Sequence, residues 1–141
     1  MYTIKPIGFV YSGYDTFRGT PKRPDYDHET CIVEIDKTYL GALKNIDEFS
    51  YIYLICFLDR VEKYLETVCP PQDNVQRGIF STRSPFRPNP ISLTRVKLEK
   101  RKGNILFVTG VDLMNRTPVI DIKPYTGRIP KEDGLRFGCY G

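Results

Sequence analysis

The residues best suited to chemistry lie in one stretch of the chain, from Gly78 to Leu93, with the sequence GIFSTRSPFRPNPISL. Arg83 and Arg87 in this stretch carry guanidinium groups, which bind carboxylates or phosphates through two hydrogen bonds at once. Three prolines between positions 85 and 90 fix their own backbone angles and push each preceding residue towards extended conformations. The stretch therefore predicts a stiff, non-helical loop that binds an anionic or strongly polar ligand. The alternative is an ordinary proline-rich connection with solvated arginines.

Two smaller basic clusters are the next candidates for binding. Arg18, Lys22 and Arg23 lie with aromatic residues in the polar segment 12–28, and the sequence KRKGN occupies positions 100–104. Clustered basic side chains are a common feature of surfaces that bind nucleic acids. The net charge of +4 is compatible with such a partner but does not require one. Solvated surface loops are the alternative for both clusters.

Metal chemistry and several common enzyme classes find no support in the sequence. The four cysteines are scattered without a CxxC pair, and His28 is the single histidine. A structural zinc site needs closely spaced ligand pairs, so this pattern argues against a metal centre. Cys56 lies in an apolar run and is predicted to be a small buried hydrophobic residue. The GxGxxG, GxxxxGK(S/T) and GxSxG motifs are also missing, which argues against a Rossmann fold, a phosphate-binding loop and a serine hydrolase.

The elements that must position these residues are predicted to belong to one small domain. The chain has 141 residues, of which 40% are hydrophobic and 27% are charged, as expected of a globular domain with its own core. No apolar run approaches the ~20 residues of a membrane-spanning helix. The N-terminus lacks the basic and apolar regions of a secretory signal. We therefore expect a cytoplasmic protein with reduced thiols and no membrane partner.

Short segments rich in β-branched and aromatic residues predict six strands. Pro6 assigns the first strand to a sheet edge, and the apolar run from Tyr51 to Leu58 is predicted to be a central, fully buried strand. A slip in the apolar alternation near Thr94 and Arg95 predicts a β-bulge. The predicted strands are Tyr2–Tyr11, Cys31–Ile35, Tyr51–Leu58, Ile91–Glu99, Ile105–Leu113 and Arg116–Lys123.

Two short helices are predicted between the strands. Apolar residues recur with helical spacing from Thr38 to Ile46, and Asp36 or Thr38 is the candidate N-cap. A second short helix is predicted from Val61 to Val68, ended by the two prolines that follow. The KRKGN sequence is predicted to be the turn of a hairpin between the two strands that flank it. Many short strands with few helices favour a mainly β fold, either a small antiparallel barrel or a sandwich.

Two long motifs carry a resemblance to a known family. GIFSTRSPFRPNPISL is followed by GVDLMNRTPVIDIKPY at positions 110–125, and this pair resembles the signature of the TsaA-like, or TrmO, family. IKPIGFVYS, PKRP at Pro21–Pro24 and FSYIYLICFLDR at Phe49–Arg60 occur in family order, so the resemblance covers nearly the whole chain. It implies a single antiparallel β-barrel domain over residues 1–141. It also implies a homodimer with the site near the subunit interface.

The resemblance further implies an activity. Characterised members of the family are S-adenosylmethionine-dependent methyltransferases that act on N6 of the threonylcarbamoyl-modified adenosine at position thirty-seven, in the anticodon loop of tRNA. The cofactor would then be S-adenosylmethionine, bound in a site unlike that of Rossmann-type methyltransferases. Because the sulfonium already activates its methyl group, the enzyme would act mainly by proximity and alignment.

Carried over position by position, the resemblance assigns the cofactor contacts, while two further sets of candidates are chosen from motif positions and from charge. The cofactor-binding candidates are Pro21, Lys22, Arg23, Asp59, Arg60, Arg83, Leu93, Gly127, Arg128 and Ile129. The candidates for orienting or deprotonating the amine, which are the catalytic candidates, are Asp121, Tyr125 and Asn89. Candidate RNA contacts, chosen for their charge at turns and near the pocket, are Arg18, Arg87, Lys100, Arg101 and Lys102.

Four departures from the family pattern leave the fold unaffected but bear on the substrate. The usual PRQ is PKR here, and the pair Asp59–Arg60 replaces a histidine followed by Glu or Gln. Ser92 replaces a glycine, where the added side chain is expected to affect a close backbone approach to a ligand. DLLDGT has become DLMNRT, which places Arg116 at the glycine position. The alternative function is a non-catalytic module that binds S-adenosylmethionine or a nucleotide, such as an RNA-binding regulator.

Overall fold

Six strands of the computed structural model, which describes residues 1–15 and 29–140, close into an antiparallel barrel. Their order around the barrel is β1–β2–β7–β6–β3–β8, and β4 and β5 form a separate two-stranded sheet. The mainly β fold and the barrel are therefore confirmed. The strands are β1 Gly8–Tyr11, β2 Cys31–Ile35, β3 Tyr51–Phe57, β4 Thr67–Val68, β5 Arg77–Gly78, β6 Ile91–Lys102, β7 Ile105–Thr109 and β8 Thr117–Pro124.

The core fills the inside of the barrel with aliphatic side chains. Alternate residues of each strand point inwards, because successive side chains of a strand face opposite sides of the sheet. Val33, Ile52, Leu54, Leu106 and Val108 are among the residues with an exposed fraction of 0%. Burying each such side chain stabilises the fold by roughly 1.5–3 kcal/mol. The alternation thus fills the interior of the barrel with apolar side chains and leaves the other side chains of each strand on its outer side.

For two of the strands, the predicted surroundings were wrong. β1 is not an edge strand, because it pairs with both β2 and β8, and Pro6 precedes its first residue, Gly8. β3 is central but not fully buried, since only its even-numbered residues point into the core and both Tyr51 and Phe57 are exposed. A closed barrel has a single interior, so an apolar run in it is buried on one side only.

The predicted hairpin is confirmed, but its turn is shorter than predicted and its bulge lies elsewhere. Lys100, Arg101 and Lys102 belong to β6 and pair with β7, so only Gly103 and Asn104 form the turn. β6 and β7 pair across a turn at Gly103, whose φ of 60° is in the left-handed region that favours glycine. Thr94, Val96 and Leu98 alternate inwards without a slip. The register with β7 shifts between Leu98 and Lys100 instead. The predicted bulge near Thr94 was wrong because the apolar Ile91 and Leu93 lie on the outer side of the barrel.

The helical segments are short 3₁₀ turns. The first covers Lys37–Leu43, and the Asp36 carboxylate accepts a hydrogen bond of 2.9 Å from the Thr38 N–H, as predicted for an N-cap. That bond lowers the pKa of Asp36. The segment Val61–Val68 is not a helix, because its backbone bonds to residues 79 and 86 and its end forms β4. Within the residues the structure describes, we find no helix of the length and apolarity needed to cross a membrane. Further 3₁₀ turns cover Ile46–Glu48, Ile79–Ser81 and Gly138–Tyr140.

Candidate active site

The outward side of β8, β3 and β6 forms one continuous surface. Ile55 of β3 pairs with Leu93 of β6 on one side and with Asp121 of β8 on the other. These three residues therefore form a row across the sheet, which places the candidates Leu93 and Asp121 two strands apart. We call this surface the outer face, and its residues are Tyr51, Tyr53, Ile55, Phe57, Ile91, Leu93, Arg95, Asp121, Lys123 and Tyr125.

The segment Ile79–Pro90, called the proline loop below, borders the outer face and is built rigidly. Its first residue, Ile79, is buried, and its N–H donates to the Glu66 carbonyl at 2.9 Å. Thr82 is also buried, and its hydroxyl donates to the Ile79 carbonyl at 2.8 Å. The loop contains a 3₁₀ turn at Ile79–Ser81 and is otherwise extended or bent. The predicted non-helical loop is thus confirmed after its first turn.

Arg87 braces the proline loop from within. Its Nη1 donates to the carbonyl of Thr82 at 2.9 Å and to that of Ser84 at 3.1 Å. Its guanidinium carbon lies 5.7 Å from the centre of the Phe80 ring, a cation–π distance. The side chain that was predicted to contact RNA therefore also fixes the shape of the loop.

Arg83 joins the proline loop to β6 and to the C-terminal segment. Its guanidinium donates to the Leu93 carbonyl, and its backbone N–H donates to the Tyr140 hydroxyl at 2.8 Å. Two cofactor candidates from different parts of the motif are therefore in direct contact. The Arg83 side chain is exposed, and a guanidinium carries five N–H donors, so donors remain available for a ligand.

A half-buried carboxyl group that the sequence reasoning missed lies near Arg83. Asp112 accepts a hydrogen bond of 2.9 Å from the Thr94 hydroxyl on β6. Burial raises the pKa of Asp112, and the Thr94 bond and the charge of Arg83 offset part of that rise. The available signal was its place in the second motif, directly after β7. Asp112 links that motif to the strand that carries Leu93.

The side chain of Ser92, at the position where the family pattern has glycine, points into the barrel and away from the outer face. Ser92 pairs with Cys56, and its hydroxyl is buried without a hydrogen-bond partner in the described part of the chain. Burial raises the pKa of the Cys56 thiol to about 12, an effect that the Ser92 hydroxyl partly opposes. Cys56 is thus an inert, buried residue, as predicted. The Ser92 side chain therefore lies on the inner side of the barrel, and its effect on a ligand stays a prediction.

Asp59 and Arg60 follow β3 at the end of the barrel where β6 and β8 begin. The Arg60 Nη2 donates to the Asn115 carbonyl at 2.6 Å and to the Thr117 hydroxyl at 3.2 Å. Its Nε lies 3.6 Å from a carboxylate oxygen of Asp59, and the two side chains are 40% and 46% exposed. The Leu58 N–H donates to the Pro90 carbonyl at 2.7 Å. This bond places the Asp59–Arg60 pair beside the end of the proline loop, where Asn89 is also exposed.

The turn that precedes β8 accommodates an unusual residue. Arg116 has a φ of 65°, a left-handed conformation that costs a non-glycine residue roughly 1–2 kcal/mol. It occupies the position where the family pattern has glycine. Its N–H donates to the Val10 carbonyl at 2.6 Å, so the turn keeps its geometry despite the substitution.

A tyrosine cluster occupies the far part of the outer face and includes a catalytic candidate. Tyr125 packs edge-on against Tyr51 and Tyr53, with ring centres 6.1 Å and 5.6 Å away. The Arg95 guanidinium lies 5.3 Å from the Tyr125 ring centre and 5.5 Å from that of Tyr51. Sequence reasoning missed Arg95, because a single arginine in a strand gives no signal of its aromatic neighbours.

The Asp121 carboxylate is held in place by two neighbours. One oxygen accepts a hydrogen bond from the Ile122 N–H at 2.9 Å, and the other lies 3.0 Å from the Lys123 ammonium. Asp121 therefore presents a fixed, half-exposed negative charge on the outer face, at the level of Leu93. A carboxylate in this position is able to orient an amine that enters from solvent.

The remaining candidates are not brought to this place within one chain. Gly127, Arg128 and Ile129 follow β8 at the opposite end of the barrel from Asp59 and are exposed. The hairpin turn with Lys100, Arg101 and Lys102 also lies at that opposite end. Arg18, Pro21, Lys22 and Arg23 fall outside the described residues. Across the described part of the chain, no group of His, Cys, Asp and Glu side chains is arranged to hold a metal ion.

Known proteins with similar sequences indicate the family of this chain. The model of the tRNA-methyltransferase O N-terminal domain matches residues 9–131. A probable S-adenosyl-L-methionine-binding protein of Archaeoglobus fulgidus is 35% identical over 97% of the chain. A tRNA (adenine(37)-N6)-methyltransferase of Mus musculus is 38% identical over 86% of the chain. The chain spans 37% and 30% of the lengths of these two relatives.

Solved structures agree with the sequence comparisons. The crystal structure of TrmO from Pseudomonas aeruginosa superposes with a TM-score of 0.80 at 26% identity. The match covers 98% of this chain and 62% of that one. The fold of this chain thus recurs as part of a longer protein.

Proposed function

The chain belongs to the tRNA-methyltransferase O N-terminal domain family, and from this premise we propose that it is a methyltransferase that uses S-adenosylmethionine. The proposed substrate is N6 of the threonylcarbamoyl-modified adenosine at position thirty-seven of tRNA. The observation that carries the proposal is the meeting of the two motifs on the outer face. Arg83 of the first motif is bonded to Leu93, and Asp121 of the second motif lies in the same row of the sheet.

The described residues fit the chemical groups of this cofactor. The free donors of Arg83 suit a carboxylate, with which a guanidinium makes charge-assisted hydrogen bonds. Asp59, 46% exposed on its side chain, suits the hydroxyls of a ribose. Ile91 and Leu93, 39% and 44% exposed, offer an apolar wall to an adenine. The bound cofactor would supply a methyl group that is already electrophilic.

The chain itself would contribute mainly alignment. Holding two reactants in a near-attack geometry supplies as much as ~7–11 kcal/mol of a reaction barrier. The rigid proline loop and the sheet would hold the two ligands at a fixed distance, since both are built from bonded backbone. Asp121, Tyr125 and Asn89 are the proposed groups for orienting the amine or accepting its proton. Asp121 has the charge for this role, whereas Tyr125 is packed among Tyr51, Tyr53 and Arg95.

We also propose that two copies of the chain form the functional unit. Phe57 and Ile91 are cross-strand neighbours, 40% and 39% exposed, and Leu93 beside them is 44% exposed. Adjoining exposed apolar residues of this kind favour burial against a partner. Light scattering should show a dimer, and a monomer with full activity would refute this proposal.

A second candidate function follows from the names of the archaeal relatives. The proteins of Archaeoglobus fulgidus and Pyrococcus abyssi are described as probable S-adenosyl-L-methionine-binding proteins, without an activity. A module that binds the cofactor without transferring its methyl group would have the same Arg83 and Leu93 geometry. The RNA contacts proposed for Arg18, Arg87 and Lys100–Lys102 would suit a regulator as well as an enzyme.

One assay separates the two functions. The protein is incubated with methyl-labelled S-adenosylmethionine and with tRNA that either carries or lacks the threonylcarbamoyl group, and the product nucleosides are identified. The proposal predicts label on N6 of the modified adenosine and none in the unmodified tRNA. Cofactor binding without labelled nucleoside would support the non-catalytic module, and label at another nucleoside would change the substrate.

A further inference from the structure

Phe80 is exposed to an extent that the proposed cofactor site does not explain. Its side chain is 75% exposed, compared with 37% to 58% for the other exposed phenylalanines among the described residues. It lies in the first motif, between the buried Ile79 and the buried Thr82. An apolar ring held in solvent loses the stabilisation that burial would give it. This position therefore suggests a ligand that covers the ring.

The exposure of Phe80 follows from a fixed backbone. The Ile79 N–H donates to the Glu66 carbonyl at 2.9 Å, and the Thr82 N–H donates back to the Ile79 carbonyl at 3.1 Å. These bonds anchor the 3₁₀ turn at Ile79–Ser81 on both sides of Phe80. The ring is thus presented on a rigid support, which lowers the entropy lost when a ligand binds.

Arg87 places a positive charge beside the exposed Phe80 ring. Its guanidinium lies 5.7 Å from the Phe80 ring centre and is tied to the carbonyls of Thr82 and Ser84. The exposed Arg83 follows Phe80 by three positions in the same loop. An aromatic plane next to cations is the combination that binds single-stranded nucleic acid, with a base stacked on the ring and phosphates near the charges.

We propose that Phe80 is a stacking platform for an unpaired base of the RNA substrate, with Arg87 fixing the ring. This inference rests on the proposed function, since it names the part of the chain that holds the RNA near the cofactor site. The positive charge of Arg83 and Arg87 favours RNA over an apolar partner surface. Stacking on a ring tolerates any base, so Phe80 contributes affinity and orientation.

The chain contains no tryptophan, which makes a direct test possible. The variant Phe80→Trp carries a single tryptophan, whose selectively excited emission should be quenched when an anticodon stem-loop RNA stacks on it. The matched control is Phe137→Trp, which places the fluorophore on the exposed C-terminal segment, where the wild-type ring is 58% exposed. Quenching of the first variant and an unchanged signal from the second support the proposal. Equal signals from both would overturn it.

Affinity measurements complete the test. Phe80→Ala should lower the affinity for the stem-loop about tenfold, the effect expected from losing one stacked base. Phe80→Leu should be as weak as the alanine variant, and Phe80→Trp should retain the wild-type affinity. Cofactor affinity and the dimer mass should stay unchanged in all three variants.

Other outcomes overturn the inference in distinguishable ways. Quenching by S-adenosylmethionine alone would assign Phe80 to the cofactor, and dissociation of a dimer in Phe80→Ala would assign it to a subunit contact. If the wild type methylates tRNA while Phe80→Ala binds RNA normally, the inference fails and the proposed function stands. If the wild type neither methylates tRNA nor binds RNA, the proposed function itself fails.

Discussion

The proline loop and the tip of the β6–β7 hairpin at Lys100–Asn104 are both basic, yet the fold treats them differently. This tip, called the turn below, comprises the last three residues of β6 and the two residues that follow them. In the loop, Arg83 and Arg87 are bonded to backbone carbonyls next to buried residues. On the turn, Lys100 lies 4.7 Å from the Phe107 ring centre, and Arg101 makes a 3.4 Å bond to Gly103 within the turn. The comparison shows that the arginines of the loop bond to carbonyls that hold the loop in shape, whereas Lys100 and Arg101 contact only their own hairpin.

The largest effect should come from Arg83. Arg83→Ala removes a charge-assisted contact to the cofactor, worth roughly 1.5–3 kcal/mol, so the affinity for S-adenosylmethionine should fall about tenfold or more. Calorimetry in the presence of a chelator measures this and shows that no metal is needed. Arg101→Ala is the matched control on the turn and should bind the cofactor normally. An unchanged cofactor affinity in folded Arg83→Ala would make Arg83 a structural residue. It would also remove the distinction between the proline loop and the turn.

The next effect should be on turnover. Arg87→Ala frees the Thr82 and Ser84 carbonyls and the Phe80 ring, so the loop should lose its fixed shape. Misalignment of the reacting groups should lower kcat roughly tenfold to a hundredfold, with a smaller change in RNA affinity. Steady-state kinetics and RNA binding on the same preparation test this. A loss confined to RNA affinity would show that Arg87 acts as an ordinary phosphate contact, like the residues of the turn.

A more modest effect is expected at the turn. Each phosphate contact to single-stranded RNA contributes about 0.7 to the slope of log affinity against log salt. Replacing Lys100, Arg101 and Lys102 together should flatten that slope by roughly two units, while cofactor binding stays intact. RNA titrations over a range of salt concentrations measure the slope. Equal slopes in the wild type and the triple variant would leave the turn as a solvated surface feature.

The smallest effect concerns Asp112, the half-buried carboxyl near Arg83, since the turn has no such group. Because burial raises the pKa of Asp112, the folded state keeps this proton to a higher pH than the unfolded state. The stabilisation from the protonated group is complete below the unfolded pKa of about 3.9 and is lost as pH rises through the folded pKa. Asp112→Asn should therefore flatten the pH dependence of the free energy of unfolding above about pH 4.

Urea denaturation across this range, with the wild type as reference, measures the difference. The side-chain amide of the Asp112→Asn variant would still accept the Thr94 hydrogen bond through its oxygen, so the loop should keep its shape. Parallel profiles for the two proteins would show that the ionisation of Asp112 does not contribute to the stability of this region.

Much of the fold was predictable because its determinants are local. The alternation in CIVEI gave β2 at its observed bounds, and the KRKGN turn correctly predicted the β6–β7 hairpin. The helix at Val61–Val68 was wrong because bonds to the distant Phe86 and Ile79 decide that backbone. The edge assignment of β1 failed because barrel closure depends on pairing between the two ends of the chain.

Part of the candidate site was predictable from the positions of its residues in the two motifs. Arg83 and Leu93 were selected together, and they are in contact. Asp112 and Arg95 were missed because their significance comes from neighbours on other strands. The direction of the Ser92 side chain was not predictable, because it is the parity of its strand that directs it inwards. Side-chain direction on a strand requires the register, and the register is a property of the whole barrel.

The most direct test of the account is single-turnover methyl transfer at saturating cofactor and tRNA. Saturation removes differences in binding, so the rate reports alignment alone. The account predicts a rate at least about tenfold below wild type for Arg87→Ala and a wild-type rate for the triple variant at Lys100, Arg101 and Lys102. A normal rate for the loop variant, or a slow rate for the turn variant, would contradict the claim that the proline loop aligns the reaction and the turn does not.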